Sequence, residues 1–457
     1  MTCAYGSEHD INIIIAGHVK DKLLHLVGFS RQRHRMRDEL IAGLTTFVAM
    51  AYILALMPEL YAPLAEMGMP VGSIFTSTAL AAVVGTMLMA LYAKMPFGSA
   101  PGLTLNFFFV NTMCLTLGYP WQFALTAVLI EGLLFTALCL SGMRYVIFDI
   151  LPRSLRFSIS VGIGIYISKM GLERAGMHIS DDVFAHMGML LEPAMLLFIF
   201  GLILTSTLAI LRVRGSLLIG IVCTTLAGVP LGVTRLPEAS EMLTLPPSPL
   251  PLLCQFDWTD VLTPDMFVCV LIMLFFDVFD TLGTTIGVMA NSGIVRRDGR
   301  IPHQTQIMLG DAVATSVGAC FGTSSVTAYV ESVAGVAQGG RTGMTALVVA
   351  LCFAASLFLA PLFLCIPNAA TAPVLIISGF YLFSSVRFID MTKMTEAVPS
   401  FITIVVMPAT DSIADGILIG VGSYAMLSAI DRLLHPRRYD DNDEIAEHEQ
   451  NRQQTVG

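Results

Sequence analysis

The chain has 457 residues, of which 55% are hydrophobic and only 13% charged. A soluble domain carries about 25% charged residues, so this composition excludes an ordinary soluble enzyme and points to a membrane-embedded protein. The net charge of −9, from 25 basic and 34 acidic residues, excludes a basic nucleic-acid footprint.

Residues 1–37 read as a cytoplasmic N-terminal arm. Its apolar stretch Ile11–Ala16 is too short for a secretory signal and is followed by basic residues. Residues 17–29 suit either an amphipathic helix on the inner surface or a loosely ordered arm. Candidate spans of about 20 apolar residues then follow at 38–57, 73–93, 97–117, 121–141, 154–170, 193–211 and 215–233. An extracytoplasmic loop is expected at 236–264, then further spans at 265–290, 303–321, 323–338, 342–364, 369–386, 396–409 and 412–431. That makes fourteen, of which 97–117, 323–338 and 396–409 are weak, being short or rich in Gly, Pro, Ser and Thr. Residues 432–457 read as a cytoplasmic disordered tail, polar and acid-rich from Tyr439.

The basic residues follow this alternation. With the N-terminus inside, 22 of the 25 fall on inside segments, and only Lys169, Arg174 and Arg235 fall outside. Both termini are therefore expected in the cytoplasm of a multi-pass cytoplasmic-membrane protein. Nine cysteines include no Cys-x-x-Cys pair, and Cys114, Cys139, Cys269 and Cys352 sit in apolar runs. They read as small buried hydrophobes, not disulfides or metal ligands. None of the nine histidines lies in the middle of an apolar run, and none of the five lysines follows a glycine, which excludes a Walker A loop. No metal or cofactor is expected.

Fourteen spans divide into two halves of seven. The fifth opens Leu151-Pro152 and carries Gly164 and Tyr166; the twelfth opens Ile366-Pro367 and carries Gly379 and Tyr381 at the same offsets. The third and tenth are both interrupted. Seven spans per half give inverted topology, and paired broken segments at corresponding places point to a transporter's binding site.

Acids within spans each cost at least about 2.5–3.5 kcal/mol on insertion scales. Asp277 and Asp280 in the eighth are three residues apart, which predicts one helix face. Glu331 lies in the tenth, Asp311 in the ninth and Glu131 in the fourth, with no basic residue at comparable depth. Carboxyls that gain and lose a proton are what proton coupling requires, and the alternative role is hydrogen-bonded packing between helices. In the third span, Pro101 and Gly102 break the helix before Asn106, whose amide donates and accepts. In the tenth, the hydroxyls of Thr323, Ser324, Ser325 and Thr327 compete for backbone bonds. Phe107, Phe108 and Phe109 suit stacking on a flat ring or, more simply, a lipid-facing or core position. Carboxylates, an amide and broken backbone suit a small planar solute with several N–H donors, and an inorganic anion poorly.

These stretches resemble the AzgA-like hypoxanthine/adenine/guanine permeases of the nucleobase–ascorbate transporter superfamily. The matching segments are RDELIAGLTTFVAMAYI at 37–53, SAPGLTLNFFF at 99–109, LPRSLRFSISVGIGIYI at 151–167 and FFDVFDTLGTTIGV at 275–288. They continue with GTSSVTAYVESVAGVAQGGRTGMTA at 322–346, ATAPVLIISG at 370–379 and EAVPSFITIVVMP at 396–408. The resemblance implies an all-α polytopic fold of two inverted seven-span repeats, with a core domain at 38–142 and 265–364 and a gate domain at 143–235 and 365–431. It implies proton-coupled purine uptake, protons being expected in preference to sodium. Asp277 and Glu331 would be the purine-binding carboxylates, with Asp280 the second eighth-span acid and Asn106 the third-span asparagine. Gly102, Asn106, Phe107, Asp277, Thr327 and Glu331 are the expected substrate site, and Asp277, Asp280 and Glu331 the expected proton-coupling groups. Thr104 and Phe107 stand where Gly and Ala are common, and Asp411 where an apolar or aromatic residue is usual. A homodimer is expected by analogy with the superfamily. The alternatives are transport of xanthine, uracil or a small anion on the same fold. No His, Cys or Ser constellation at membrane depth favours an enzyme.

Overall fold

The computed structural model describes residues 26–30, 34–141, 153–177, 192–213, 215–237, 245–259, 261–292, 303–410 and 413–434. The N-terminal arm before residue 26, the tail after residue 434, the Leu151-Pro152 signature and Asp411 lie outside them.

Every expected span contains helix. The first is α1 (Met36–Met50) and α2 (Tyr52–Tyr61), offset at Ala51 and carrying Pro58. The second is α3 (Ile74–Leu88), ending in a π-helical turn at Met89–Ala93. The third holds strand β1 (Ser99–Pro101), the short helix α4 (Leu103–Phe107) and a π-helical stretch Phe108–Thr116. The fourth to seventh are α5 (Trp121–Ser141), α6 (Arg153–Arg174), α7 (Pro193–Ile210) and α8 (Ser216–Gly228). The eighth and ninth are α9 (Pro264–Ser292) and α10 (Gln304–Phe321). The tenth holds β2 (Val326–Ala328) and α11 (Ser332–Val336). The last four are α12 (Gly343–Ser356) with α13 (Ala360–Leu364), α14 (Asn368–Phe383), α15 (Met394–Thr410) and α16 (Ile413–Leu434). Among the described residues, six helical segments are long and apolar enough to cross a bilayer, among them Met36–Ala65, Trp121–Ser141 and Gly343–Leu364.

Helices prevail because hydrocarbon offers no partner for a backbone N–H or C=O. The two broken spans meet the same demand differently. β1 and β2 pair antiparallel, with Ser99 opposite Ala328, Ala100 opposite Thr327 and Pro101 opposite Val326. All six residues are buried. The ladder continues through Gly102 N–H to Ser325 O at 2.9 Å and Tyr329 N–H to Gly98 O at 2.9 Å. Neighbouring side chains close the rest. Thr86 Oγ1 donates to Ser99 O at 2.8 Å and accepts from Ser99 N–H at 3.0 Å, and Tyr329 donates to Pro101 O at 2.6 Å. The expected hydroxyl run contributes less: Thr323 bonds Gly318 O at 3.2 Å.

The described residues fall into two compact units, one within 1–148 and 167–378, the other within 149–166 and 379–457. The first holds both strands and all the acids considered below. Cys114, Cys139 and Cys269 are buried in it as expected, whereas Cys254, with a φ of 53°, is exposed. In the second unit, Gly416 and Gly420 of α16 lie against Met407 and Thr403 of α15, and Ser154 donates to Glu396 at 2.7 Å. Small residues let bilayer helices approach closely. Here also the repeat-equivalent glycines meet: a Cβ on Gly164 would lie 2.5 Å from Gly379 O. Equivalent residues contact each other where two copies are related by a two-fold, and the β1–β2 pair is the second such contact.

Candidate substrate and proton site

The strand pair anchors two groups of carboxylates in the first unit. Thr327, in β2, lies beside Asp280 of α9, and Asp280 is exposed. A Cβ on Gly102 would fall 2.9 Å from Thr327 Oγ1, so the bare glycine leaves that hydroxyl its place. Three residues past the strand, Glu331 precedes α11 and stays partly exposed; its Oε1 accepts from Tyr52 of α2 at 3.0 Å. Arg341 closes the other end of α11 with bonds to Val336 O at 2.6 Å and Gly340 O at 2.7 Å. A cation on the last carbonyls satisfies them and suits the helix dipole.

Asp277 turns the other way. It is 0% exposed, accepts from Thr315 of α10 at 2.9 Å, and lies within reach of Glu131 of α5. The expectation of one shared face for Asp277 and Asp280 is therefore corrected. Three residues on a helix differ by roughly 60° around the axis, enough here to send one carboxyl inward and the other to the accessible surface. Asp311 is also 0% exposed and serves the strand, accepting from Ala328 N–H at 3.1 Å and from Thr281 at 2.8 Å.

Asn106 is fully buried and heavily engaged. Its Oδ1 accepts from Tyr61 at 2.6 Å and its Nδ2 donates to Gly102 O at 2.6 Å, while Tyr61 oxygen accepts from Ser324 N–H at 3.2 Å. It thus joins the third span, the first and the tenth. Phe107, Phe108 and Phe109 are all 0% exposed, and Phe109 lies 5.5 Å from the Tyr61 ring. Of the two readings for these rings, the core position is the one observed.

Sequence reasoning missed Tyr52, Tyr61, Thr86, Thr315 and Tyr329. The available signal was hydroxyls within apolar spans, since a buried Tyr O–H needs a partner. Electrostatically, the buried charged side chains among the described residues are all acids: Glu39, Glu131, Asp277 and Asp311. The accessible carboxylates can accept hydrogen bonds from N–H donors, and no buried cation competes for them.

A family model described as the permease family, Xan_ur_permease, matches residues 37–419. The guanine/hypoxanthine permease PbuO of Bacillus subtilis (strain 168) is 38% identical, over 89% of this chain and 95% of that protein. The adenine permease AdeP of Escherichia coli (strain K12) is 35% identical, over 86% of this chain and 87% of that protein. Among solved structures, the transmembrane domain of a cyanobacterium bicarbonate transporter, BicA, superposes with a TM-score of 0.59. It covers 87% of this chain and 98% of that one at 17% identity, a likeness of fold alone. The chain belongs to the permease family and is a multi-pass membrane transporter, not an enzyme.

Proposed function

We propose that this permease takes up purine nucleobases (hypoxanthine, adenine and/or guanine) together with protons across the cytoplasmic membrane by alternating access. The observation that carries the reading is the pair of accessible carboxylates, Asp280 and Glu331, mounted beside the β1–β2 ladder with no buried cation among the described residues. A purine offers ring and exocyclic N–H groups to such acceptors, and the named activities of relatives at 35–38% identity agree with it. In this reading Glu331, oriented by Tyr52, and Asp280, oriented by Thr327, hold the base. Gly102, Asn106 and Phe107 shape the scaffold behind it, and the burial of Asp277 supports a part in proton coupling in place of substrate contact. Residues 38–142 and 265–364 form the core that carries the site, and 143–235 and 365–431 the gate. Both termini face the cytoplasm, and a homodimer follows by analogy with the superfamily.

The test is uptake of radiolabelled hypoxanthine into proteoliposomes. An inward proton gradient should drive accumulation, a protonophore should abolish it, and unlabelled adenine and guanine should compete better than uracil. One proton crossing 100 mV supplies about 2.3 kcal/mol, enough for roughly 40-fold accumulation of a neutral solute. Accumulation that survives collapse of the gradient and potential refutes proton coupling. Inhibition by bicarbonate but not by purines refutes the substrate class.

A further inference from the structure

Glu131 has no part in holding the purine, yet it sits at the middle of α5 with 0% of its surface exposed. Its carboxyl and that of Asp277 lie within reach of each other across the α5–α9 contact. Carboxylates are acceptors only, so a hydrogen bond between two carboxyl groups requires a proton on one of them. The surroundings supply two hydroxyls: Ser325 donates to Glu131 Oε2 at 3.1 Å and Thr315 to Asp277 Oδ2 at 2.9 Å. The remaining oxygens, Glu131 Oε1 and Asp277 Oδ1, are buried and receive no donor from the described residues. The other titratable groups acting on Asp277 are Asp280, one turn along α9, and Asp311 of α10, both acids. Beside the pair α5 packs closely on α10: a Cβ on Gly132 would lie 2.6 Å from Ser316 Oγ and 2.8 Å from its amide nitrogen.

We propose that Glu131 and Asp277 form one buried proton site, a single proton shared between Oε1 and Oδ1, and that this is the proton exchanged in each transport cycle. The inference rests on the proton-coupled reading above. On unloading, the carboxyl O–H bond breaks, the proton passes to water, and the pair is left with two negative charges. Such like-charged dyads hold one proton because both cannot ionise cheaply at short range. The pair is wired to the tenth span. Thr315 Oγ1 has one proton and two acceptors, Asp277 Oδ2 at 2.9 Å and Val326 O at 3.3 Å, and itself accepts from Val326 N–H at 3.2 Å. A second negative charge on the pair draws that hydroxyl away from Val326 of β2, the strand that carries Thr327, and strengthens the hold of Glu131 on the Ser325 hydroxyl.

The experiment compares wild type, E131Q, D277N and E131D in proteoliposomes, with purine-driven proton movement read by an internal pH dye and hypoxanthine binding measured at equilibrium. A Gln at 131 keeps the shape and offers an N–H to Asp277, imitating the loaded pair permanently. We expect E131Q to bind hypoxanthine within about threefold of wild type while proton movement per purine falls at least tenfold and uptake no longer exceeds equilibration. D277N should give the same loss from the partner's side, and E131D should restore part of it. Infrared difference spectra give a readout independent of transport: wild type should show the carbonyl band of a protonated carboxyl, absent in E131Q. Concentrative uptake by E131Q with the wild-type pH profile overturns the proposal, as does absence of that band from the wild type. If wild type moves no proton with purine, the coupled-uptake reading falls instead, and the band alone decides whether the pair shares a proton.

Discussion

Glu331→Gln separates a purine-binding carboxylate from a structural one. In the structure Glu331 Oε1 is engaged by Tyr52 at 3.0 Å, which leaves Oε2 as the atom for an incoming N–H. Hydrogen bonds to a charged acceptor are worth about 1.5–3 kcal/mol each. Two such bonds from a purine to Oε2 and the second lone pair of Oε1 amount to about 3–6 kcal/mol, so their loss weakens binding roughly a hundredfold to ten-thousandfold. A Gln side chain satisfies Tyr52 through its oxygen and so turns an NH2 toward the substrate, donor against donor. The protein should still reach the membrane, because the Tyr52 bond survives. Tyr52→Phe is the companion: it removes the orienting bond but keeps the charge, a loss of about 1 kcal/mol or roughly fivefold in affinity. The assay is equilibrium binding of labelled hypoxanthine to purified protein. Wild-type affinity in Glu331→Gln would refute the assignment and move the anchor to Asp280.

Asp280→Asn removes the other accessible charge and should raise the hypoxanthine Kd at least tenfold by loss of one charged hydrogen bond; an unchanged Kd in the same assay makes Asp280 structural. Gly102→Ala places a methyl 2.9 Å from Thr327 Oγ1 and so displaces the hydroxyl that lies beside Asp280, with hypoxanthine uptake expected to fall about tenfold at equal membrane abundance, the worth of about one charged hydrogen bond. Phe107→Ala empties a fully buried position and should cost about 3–5 kcal/mol of stability, seen as earlier thermal aggregation in detergent, while the ranking of purines in competition uptake stays as in wild type.

The spans were readable because bilayer crossing demands about 20 apolar residues, and the breaks because Pro101-Gly102 and the Thr323–Thr327 hydroxyls cannot continue a helix. That the two breaks pair with each other was not readable. Their register sets Ser99 against Ala328, a non-local match that three-residue strands cannot encode in local pattern. The acids were found by their cost in apolar segments, but their partners were hidden. Asp277 and Asp280 differ only in azimuth, and whether an azimuth faces the accessible surface or Glu131 is decided by how α5 packs on α9. Nor could the sequence say that Thr86 and Thr315, lying in other spans, would satisfy the broken backbone in place of the nearby Ser and Thr residues.

These hidden partners converge on one strand. Val326 is bonded to Thr315 and Ala328 to Asp311, Thr327 lies beside Asp280, and Ser325 just before them reaches Glu131. Four consecutive residues thus touch the accessible acid, the buried pair and the acid that fixes the backbone. β1 holds this strand through a three-residue ladder with one further backbone bond at each end, a short contact whose bonds can be exchanged one at a time. A displacement of β2 that improves the reach of Thr327 to Asp280 must also alter what Ser325 and Thr315 give to the pair. Thermodynamic linkage then fixes the outcome: whatever factor proton loading adds to purine affinity, purine binding adds to the carrier's proton affinity. Hypoxanthine affinity measured across pH and proton uptake measured on hypoxanthine binding must therefore report the same factor. A mismatch between them would show that the two events do not meet on this strand.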